Sequence, residues 1–284
     1  MARTKAISLL QAVDTKADLA EIYGIVIDGV RKETLSGFLK SDLYRGNPAT
    51  GSVEFRRFVN AQAKNYGTAR TAGKGDAITA PPVTVNLDQK KEIVEEVAKF
   101  DLDTFGVTSI MARRAANHID TTTTDLETAF FTAAAAAATA AEPAGSTIAA
   151  RVEALIQTLE TVKNDYVTGV PRNLISIIAS PAFYGELRTS LDSLPASNVD
   201  TAAEEFAMFH GVRVYSSIYL PADVQAIAMA RGAVALPVVT YPYTDPEKIQ
   251  LSNDYAVQLF YNYGVKALTP DLLFKIVAEG GGEG

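Results

Sequence analysis

The chain has 284 residues, 48% of them hydrophobic and 21% charged, so it is long enough to bury a sizeable core. It contains no cysteine, which excludes disulfides, thiolate nucleophiles and cysteine metal sites and leaves packing to hold the fold. A formal net charge of −7 argues against a dedicated nucleic-acid binder, which needs a concentrated Lys/Arg excess, and no apolar run approaches the roughly 20 residues of a bilayer-spanning helix.

In chain order, residues 1–45 mix short apolar clusters (Ile7, Leu9, Leu10; Ile22, Ile25, Val26, Ile27) with charges, and Gly24 and Gly29 interrupt any long helix. An arm with short helices is expected. After a turn cluster at 46–51, the stretch from Ser52 to Val59 is rich in β-branched and aromatic residues and reads as an outgoing strand. From Ala61 to Pro82 the sequence turns polar, small and basic before Val83-Thr84-Val85-Asn86-Leu87 resumes strand-like alternation. This predicts a long β-hairpin over 46–90 with a flexible tip. A patternless loop of that size is unusual inside a compact domain, so the hairpin is expected to reach a neighbouring chain.

Between 107 and 133 an apolar stripe (Val107, Ile110, Met111, Ala115, Ile119, Thr122, Leu126, Phe130, Ala133) recurs at three- and four-residue spacing. It predicts the longest helix, extended by the alanine run as far as Ala141 and weakened at Thr121 to Thr124 by β-branching. A second amphipathic helix carries Ile148, Val152, Leu155, Leu159, Val162 and Tyr166 on one face. The apolar run from Leu174 to Ala179 reads as a buried strand, and Ser180-Pro181 as the N-cap and first residue of a helix through Leu191. Strands follow at 212–216, 225–230 and 234–239, the last two joined by Arg231-Gly232. From Ile249 to Val265, alternation of Tyr255, Val257, Leu259, Tyr261 and Tyr263 with polar residues predicts one or two long strands, with a turn at Asn253-Asp254. The glycine-rich tail at 280–284 is expected to be mobile.

Catalytic and ligand-binding patterns fail on inspection. Gly67 and Gly73 are separated by five residues and Lys74 is followed by Gly75, which breaks a phosphate-loop spacing. Asp101-Leu102-Asp103 opens like a calcium loop, but Phe105 and Ala112 stand where oxygen ligands are required. The two histidines, His118 and His210, have no second imidazole at ligand spacing; His118 reads as a polar-face residue of the long helix and His210 as part of a turn. Glu95 and Glu96 adjoin in a strand and would face opposite ways, which prevents them from cooperating in acid/base work. No enzyme activity, cofactor or metal site is expected.

The order of these elements, a flexible arm, an extended hairpin, a long helix, a compact α/β unit and long returning strands, resembles the major capsid proteins of tailed bacteriophages with the Hong Kong 97-type fold. Local stretches carry the resemblance. Val83-Thr84-Val85-Asn86-Leu87 with Glu92-Ile93-Val94-Glu95-Glu96-Val97 resembles the strand returning from the family's extended loop. Arg113-Arg114-Ala115-Ala116-Asn117-His118-Ile119-Asp120 is similar to its spine helix, and residues 173–187 to its strand-then-helix unit. His210-Gly211-Val212-Arg213 with Leu220-Pro221, and Tyr263-Gly264-Val265-Lys266 with Pro270, resemble two further landmarks.

The resemblance implies an α+β fold with an N-terminal arm (1–45), an extended β-hairpin loop (46–90), a peripheral domain with a long spine helix (91–145 and 245–279), an α/β axial domain (146–244) and a flexible tail (280–284). It also implies a structural shell subunit of the virion that self-assembles into hexamers and pentamers around double-stranded DNA in the bacterial host cytoplasm. Partners would include a separate scaffolding protein, a portal and decoration proteins. An encapsulin-type nanocompartment shell, which shares the fold, is the alternative, followed by a soluble α/β enzyme. Charge segregation suggests inter-subunit contacts between the hairpin cations Arg56, Arg57, Lys64, Arg70 and Lys74 and the acidic residues Glu92, Glu95 and Glu96.

Overall fold

The computed structural model describes residues 34–66, 77–99, 107–141, 145–192, 208–241, 247–248 and 254–278. Most of the expected arm, the hairpin tip with Arg70 and Lys74, Asn253 and the tail lie outside the described residues. The chain mixes helices and strands throughout, as an α+β fold requires.

The first described element is a short helix, Leu35–Leu39 (α1). A 3-10 turn at Pro48–Thr50, capped by the Asn47 side chain, leads through Gly51 at φ 88° into Ser52–Arg56 (β1). Only a residue without a Cβ adopts that φ at no steric cost. β1 pairs antiparallel with Pro82–Asn86 (β2), in the register Val53 to Val85 and Phe55 to Val83. Val53, Phe55 and Val85 bury one face of this hairpin root with Ala235. Beyond the root the two arms stay together, the Val59 amide donating to the Thr79 carbonyl at 3.0 Å.

The returning chain does not simply extend that hairpin. Gln89–Val97 (β3) leaves it and pairs along its whole length with a strand from the far end of the sequence, described below. Val107–Ala137 (α2) then runs for 31 residues, about 46 Å at 1.5 Å per residue. The threonine run does not interrupt it, because Thr122 and Thr123 are buried and tertiary packing outweighs their weak propensity. The helix stops short of Ala141. Thr139–Ala140 (β4) pairs in parallel with a late strand at Phe274 and Lys275, while the Lys275 ammonium donates to the Ala135 carbonyl at 2.9 Å. A cation among the last carbonyls compensates the negative helix end, so the alanine run ends where sheet pairing takes over.

Ile148–Thr161 (α3) is capped by Thr147, whose hydroxyl accepts from the Ala150 amide. It ends before Tyr166, which lies in the following turn, where Asn164 Oδ1 accepts from the amides of Tyr166 and Val167. Ile175–Ala179 (β5) is buried on both faces, and Pro181–Asp192 (α4) follows Ser180 as expected. Met208–Phe209 (β6) and Val212–Ser216 (β7) flank a tight turn at His210 (φ 45°) and Gly211. Val224–Ala230 (β8) is followed by two short strands, Val234–Ala235 (β9) and Val238–Tyr241 (β10), where one was expected; Pro237, which has no amide hydrogen to donate, stands between them. Glu247–Lys248 (β11), Tyr255–Tyr263 (β12), Lys266–Ala267 (β13) and Leu273–Val277 (β14) complete the chain.

Two sheets organise the core. The order β4-β14-β8-β5-β7-β6 builds a mixed six-stranded sheet. One face, with Ile175, Ile177, Val212, Val214, Ala226 and Ala228, packs on Val152, Leu155 and Leu159 of α3 and Phe183 and Leu187 of α4. The other, with Ile178, Ile227, Met229 and Leu273, packs on Leu126, Phe130, Phe131 and Ala134 of α2. Covered on both faces, β5 is apolar at successive positions from Ile177 to Ala179, with the buried Ser176 as its polar exception. The second sheet is centred on β12, paired with β10 and β11 on one edge and β3 on the other, and Leu259, Tyr261 and Tyr263 turn inward to the α2 side. Each fully buried side chain such as Phe130 contributes about 1.5–3 kcal/mol by burial.

Candidate inter-subunit surface

The hairpin root is locked to the body by polar contacts that begin one residue after β1. Both terminal nitrogens of Arg57 donate to Asp271, at 2.6 Å to Oδ1 and 2.7 Å to Oδ2, and its guanidinium carbon lies 4.2 Å from the centre of the Tyr166 ring. Asn164 Nδ2 donates to the same carboxylate, and the Asn60 amide donates to the Asp165 carbonyl at 2.8 Å. Burial pushes the Asp271 carboxyl up, but the Arg57 and Asn164 hydrogen bonds outweigh it and hold the group below the usual aspartate value. On the other arm, Lys266 Nζ donates to the Thr84 carbonyl at 3.0 Å, and a Cβ on Gly264 would stand 2.1 Å from the Asn86 carbonyl oxygen. Glycine is what lets the hairpin root approach this closely.

The loop beyond this root exposes large apolar groups. Tyr66 and Ile78 are each 89% exposed and Phe58 59%, on either side of the undescribed tip. Solvent-facing aromatics and isoleucine on an extended hairpin suit contact with another chain.

Of the expected contact residues, Arg56 pairs within its own strand with Glu54 at 2.6 Å, and Arg57 is held by Asp271. Lys64 is exposed on the outgoing arm, while Arg70 and Lys74 lie outside the described residues. Glu92 and Glu96 are exposed on β3, opposite Phe260 and Ala256 of β12. Glu95 points to the other face, where its Oε2 lies 3.1 Å from His118 Nε2. The two glutamates therefore do face opposite ways. His118, by contrast, is no polar-face residue: it is 4% exposed, because the β3 side of the second sheet covers that part of α2.

Several anchors had no signal in the sequence. The described end of the arm is fastened by Leu39, fully buried, by Gly232 and Ser41 amides donating to the Leu39 and Val234 carbonyls, and by Arg231 lying 4.1 Å over the Phe38 ring. Inside this junction the Ser36 amide donates to Glu127 Oε1 at 2.7 Å. Burial raises the Glu127 carboxyl, and the Ser36 bonds offset this only in part. On β12, burial and then the Asp125 charge push the Tyr263 phenol up to about 12, and Tyr261 donates to Asp125 at 3.0 Å. At the far side of α3, Arg172 bridges Glu153 and Glu160, and His210 Nδ1 lies 2.8 Å from Glu153. Hydrogen bonding to Arg172 is the main cause that lowers Glu153 to about 2.

Among the described residues, no cluster of three or more His, Asp or Glu side chains is arranged to hold a metal ion, and no helix is long and apolar enough to cross a membrane.

Solved structures share this architecture. The capsid of the cyanophage P-SCSP1u matches with a TM-score of 0.61 at 14% identity, covering 87% of this chain and 88% of that one. A structure from Mycobacterium phage Che8 matches with a TM-score of 0.59 at 19% identity, covering 80% and 84%. The virus-like particle from Pyrococcus furiosus matches with a TM-score of 0.56 at 13% identity, covering 90% and 98%. At these identities the likeness establishes the fold. No curated protein matches in sequence. A family model described as phage capsid protein, however, matches residues 89–276, from the first residue of β3 to the penultimate residue of β14. Matched over more than half its length, the chain belongs to the phage capsid protein family.

Proposed function

We propose that the protein is the major shell subunit of a phage head, self-assembling into hexamers and pentamers of an icosahedral or prolate capsid around double-stranded DNA. The observation that carries this reading is the family match over residues 89–276, joined to a hairpin that exposes Phe58, Tyr66 and Ile78 rather than burying them in its own subunit. A structural role follows from the family rather than a catalytic one. The chain divides into arm, extended loop, peripheral part with spine helix, and axial part. Assembly takes place in the host cytoplasm with a separate scaffolding protein, and a portal and decoration proteins complete the head.

Contacts between Lys64, Arg70 and Lys74 of one loop and acidic residues of β3 on a neighbour, chiefly Glu92, bias the association. Each exposed pair contributes only ~0–1 kcal/mol, but symmetry repeats it at every equivalent interface.

The test is electron microscopy of the purified protein together with nucleic-acid analysis of native particles. Closed shells containing nuclease-protected genomic DNA are expected. Shells filled with a cargo enzyme would replace this reading with a nanocompartment, and a monomer at all concentrations would remove both.

A further inference from the structure

Among the described residues β3 is an outer strand of its sheet. It pairs with β12 over nine consecutive rungs, from Gln89 opposite Tyr263 to Val97 opposite Tyr255, and among the described residues no strand pairs with its other edge. A nine-residue open edge is a template for another strand, and proteins that leave one normally guard it with charge. The charges here are not scattered. Read outward from Ile93, Lys90 and Lys91 on one side are matched by Glu96 and Glu95 on the other.

We infer that two copies of this chain pair antiparallel through their β3 edges about a twofold axis at Ile93. In that register Lys90 faces Glu96 of the second copy and Lys91 faces Glu95, and each pair occurs twice. A twofold axis keeps every side chain on its own face of the sheet, so alternative symmetric registers differ by steps of two residues. Centring on Glu92 sets that carboxylate against itself, and centring on Val94 sets Glu92 against Glu96 twice. Like charges directly opposite are destabilising and opposite charges stabilising, so the charge order admits the Ile93 register and disfavours its neighbours. On the α2 face Lys91 already lies 3.6 Å from Asp125 and Glu95 3.1 Å from His118, so the outer-face pair of Lys90 and Glu96 decides the register. Pairing also covers Val94, which is 54% exposed on that outer face. Glu92 then stands opposite Val94 and is left for a loop cation. The inference rests on the shell reading only for where the two copies meet, at a local twofold between subunits.

The absence of native cysteine gives a direct test. Directly opposed residues in an antiparallel pair have Cα atoms about 4.5–5.5 Å apart, within the range a disulfide spans. Ile93→Cys should therefore oxidise to a covalent dimer. Val94→Cys, more exposed but offset from its own copy across the axis, should not. In parallel, Lys90→Glu and Glu96→Lys each place like charges on both outer rungs and should each lose association at low ionic strength, while mixing the two variants restores an opposite-charge pair at both rungs and should restore it. Normal particles from each reversed variant with Ile93→Cys remaining uncrosslinked in them, or crosslinking through Val94→Cys instead, would overturn the pairing and leave the shell reading intact. If the wild-type chain forms no particles, the shell reading fails, and the Ile93→Cys dimer in the free protein still decides the pairing.

Discussion

Arg57 and Asp271, 214 residues apart in the chain, meet in a two-pronged ion pair that fixes where the extended hairpin leaves the body. Both groups are less than a third exposed, so the pair is worth more than a surface salt bridge. Arg57→Ala leaves Asp271 partly buried with Asn164 as its remaining side-chain donor and should cost about 1–3 kcal/mol. Hydrogen exchange should show the Asn60 amide, bonded to Asp165 from the same root, losing protection in that variant. Because the Asp271 carboxyl is lowered, its contribution is present above the ordinary aspartate value of about 3.9 and fades as pH falls through the lower folded value. Arg57→Ala should therefore show a shallower loss of stability in acid than the wild-type chain.

Gly264 offers a second handle on the same root. With the Asn86 carbonyl oxygen 2.1 Å from where a Cβ would sit and the Leu87 Cα at 3.3 Å, the obstacle is backbone and cannot rotate away. Gly264→Ala should destabilise the subunit by about 1–3 kcal/mol, the usual range for overpacking, and lower its thermal midpoint. Alanine at Gly51, where nothing lies within 4 Å but φ is 88°, should cost about 1 kcal/mol through backbone strain alone, which separates crowding from conformation.

What the sequence made legible were elements whose periodicity records their own burial: the stripe of α2, the largely apolar run of β5 between two layers, the alternation of β12. Periodicity reports that a face is covered and not what covers it. Hence the strand returning from the hairpin was legible but not that Gln89–Val97 pairs with β12, and His118 read as solvent-facing although a sheet lies against it. The end of α2 was misplaced because alanine favours helix at every step, and only the pairing of β4 with β14 stops it. The anchors Asp271, Glu127 and Arg231 were missed for the same reason: isolated charges between distant elements leave no local pattern.

Glu127 predicts an unusual pH response at the junction between the arm and α2. It is 2% exposed, and its carboxyl is raised chiefly by burial. A raised carboxyl binds its proton more tightly in the folded state, so stability falls as pH rises from about 4.3 through the folded value. Glu127→Gln keeps an acceptor for the Ser36 amide without the buried charge. At pH 7 it should be as stable as the wild-type subunit or more so. Glu127→Ala, which leaves that amide without its partner, should cost about 1–3 kcal/mol. Urea titrations at pH 5 and pH 7 should find the wild-type difference reduced in Glu127→Gln.

The cluster at Arg172 predicts the opposite sign. Hydrogen bonds from Arg172 are the largest influence on Glu153, burial opposes them, and His210 adds a further lowering contact, with the net result that the carboxyl falls to about 2. A lowered carboxyl contributes stability above its ordinary value of about 4.3 and loses it as pH falls toward 2. The pairing lies at the surface, so its net effect on folding should be small, and the direct readout is the titration itself. NMR of the Glu153 carboxyl carbon should give a midpoint near 2 in the wild-type chain. Arg172→Ala should return it toward the ordinary glutamate range, and His210→Ala, which removes only the lesser partner, should move it less. An unchanged midpoint in Arg172→Ala would mean that the guanidinium does not sit between Glu153 and Glu160 in solution.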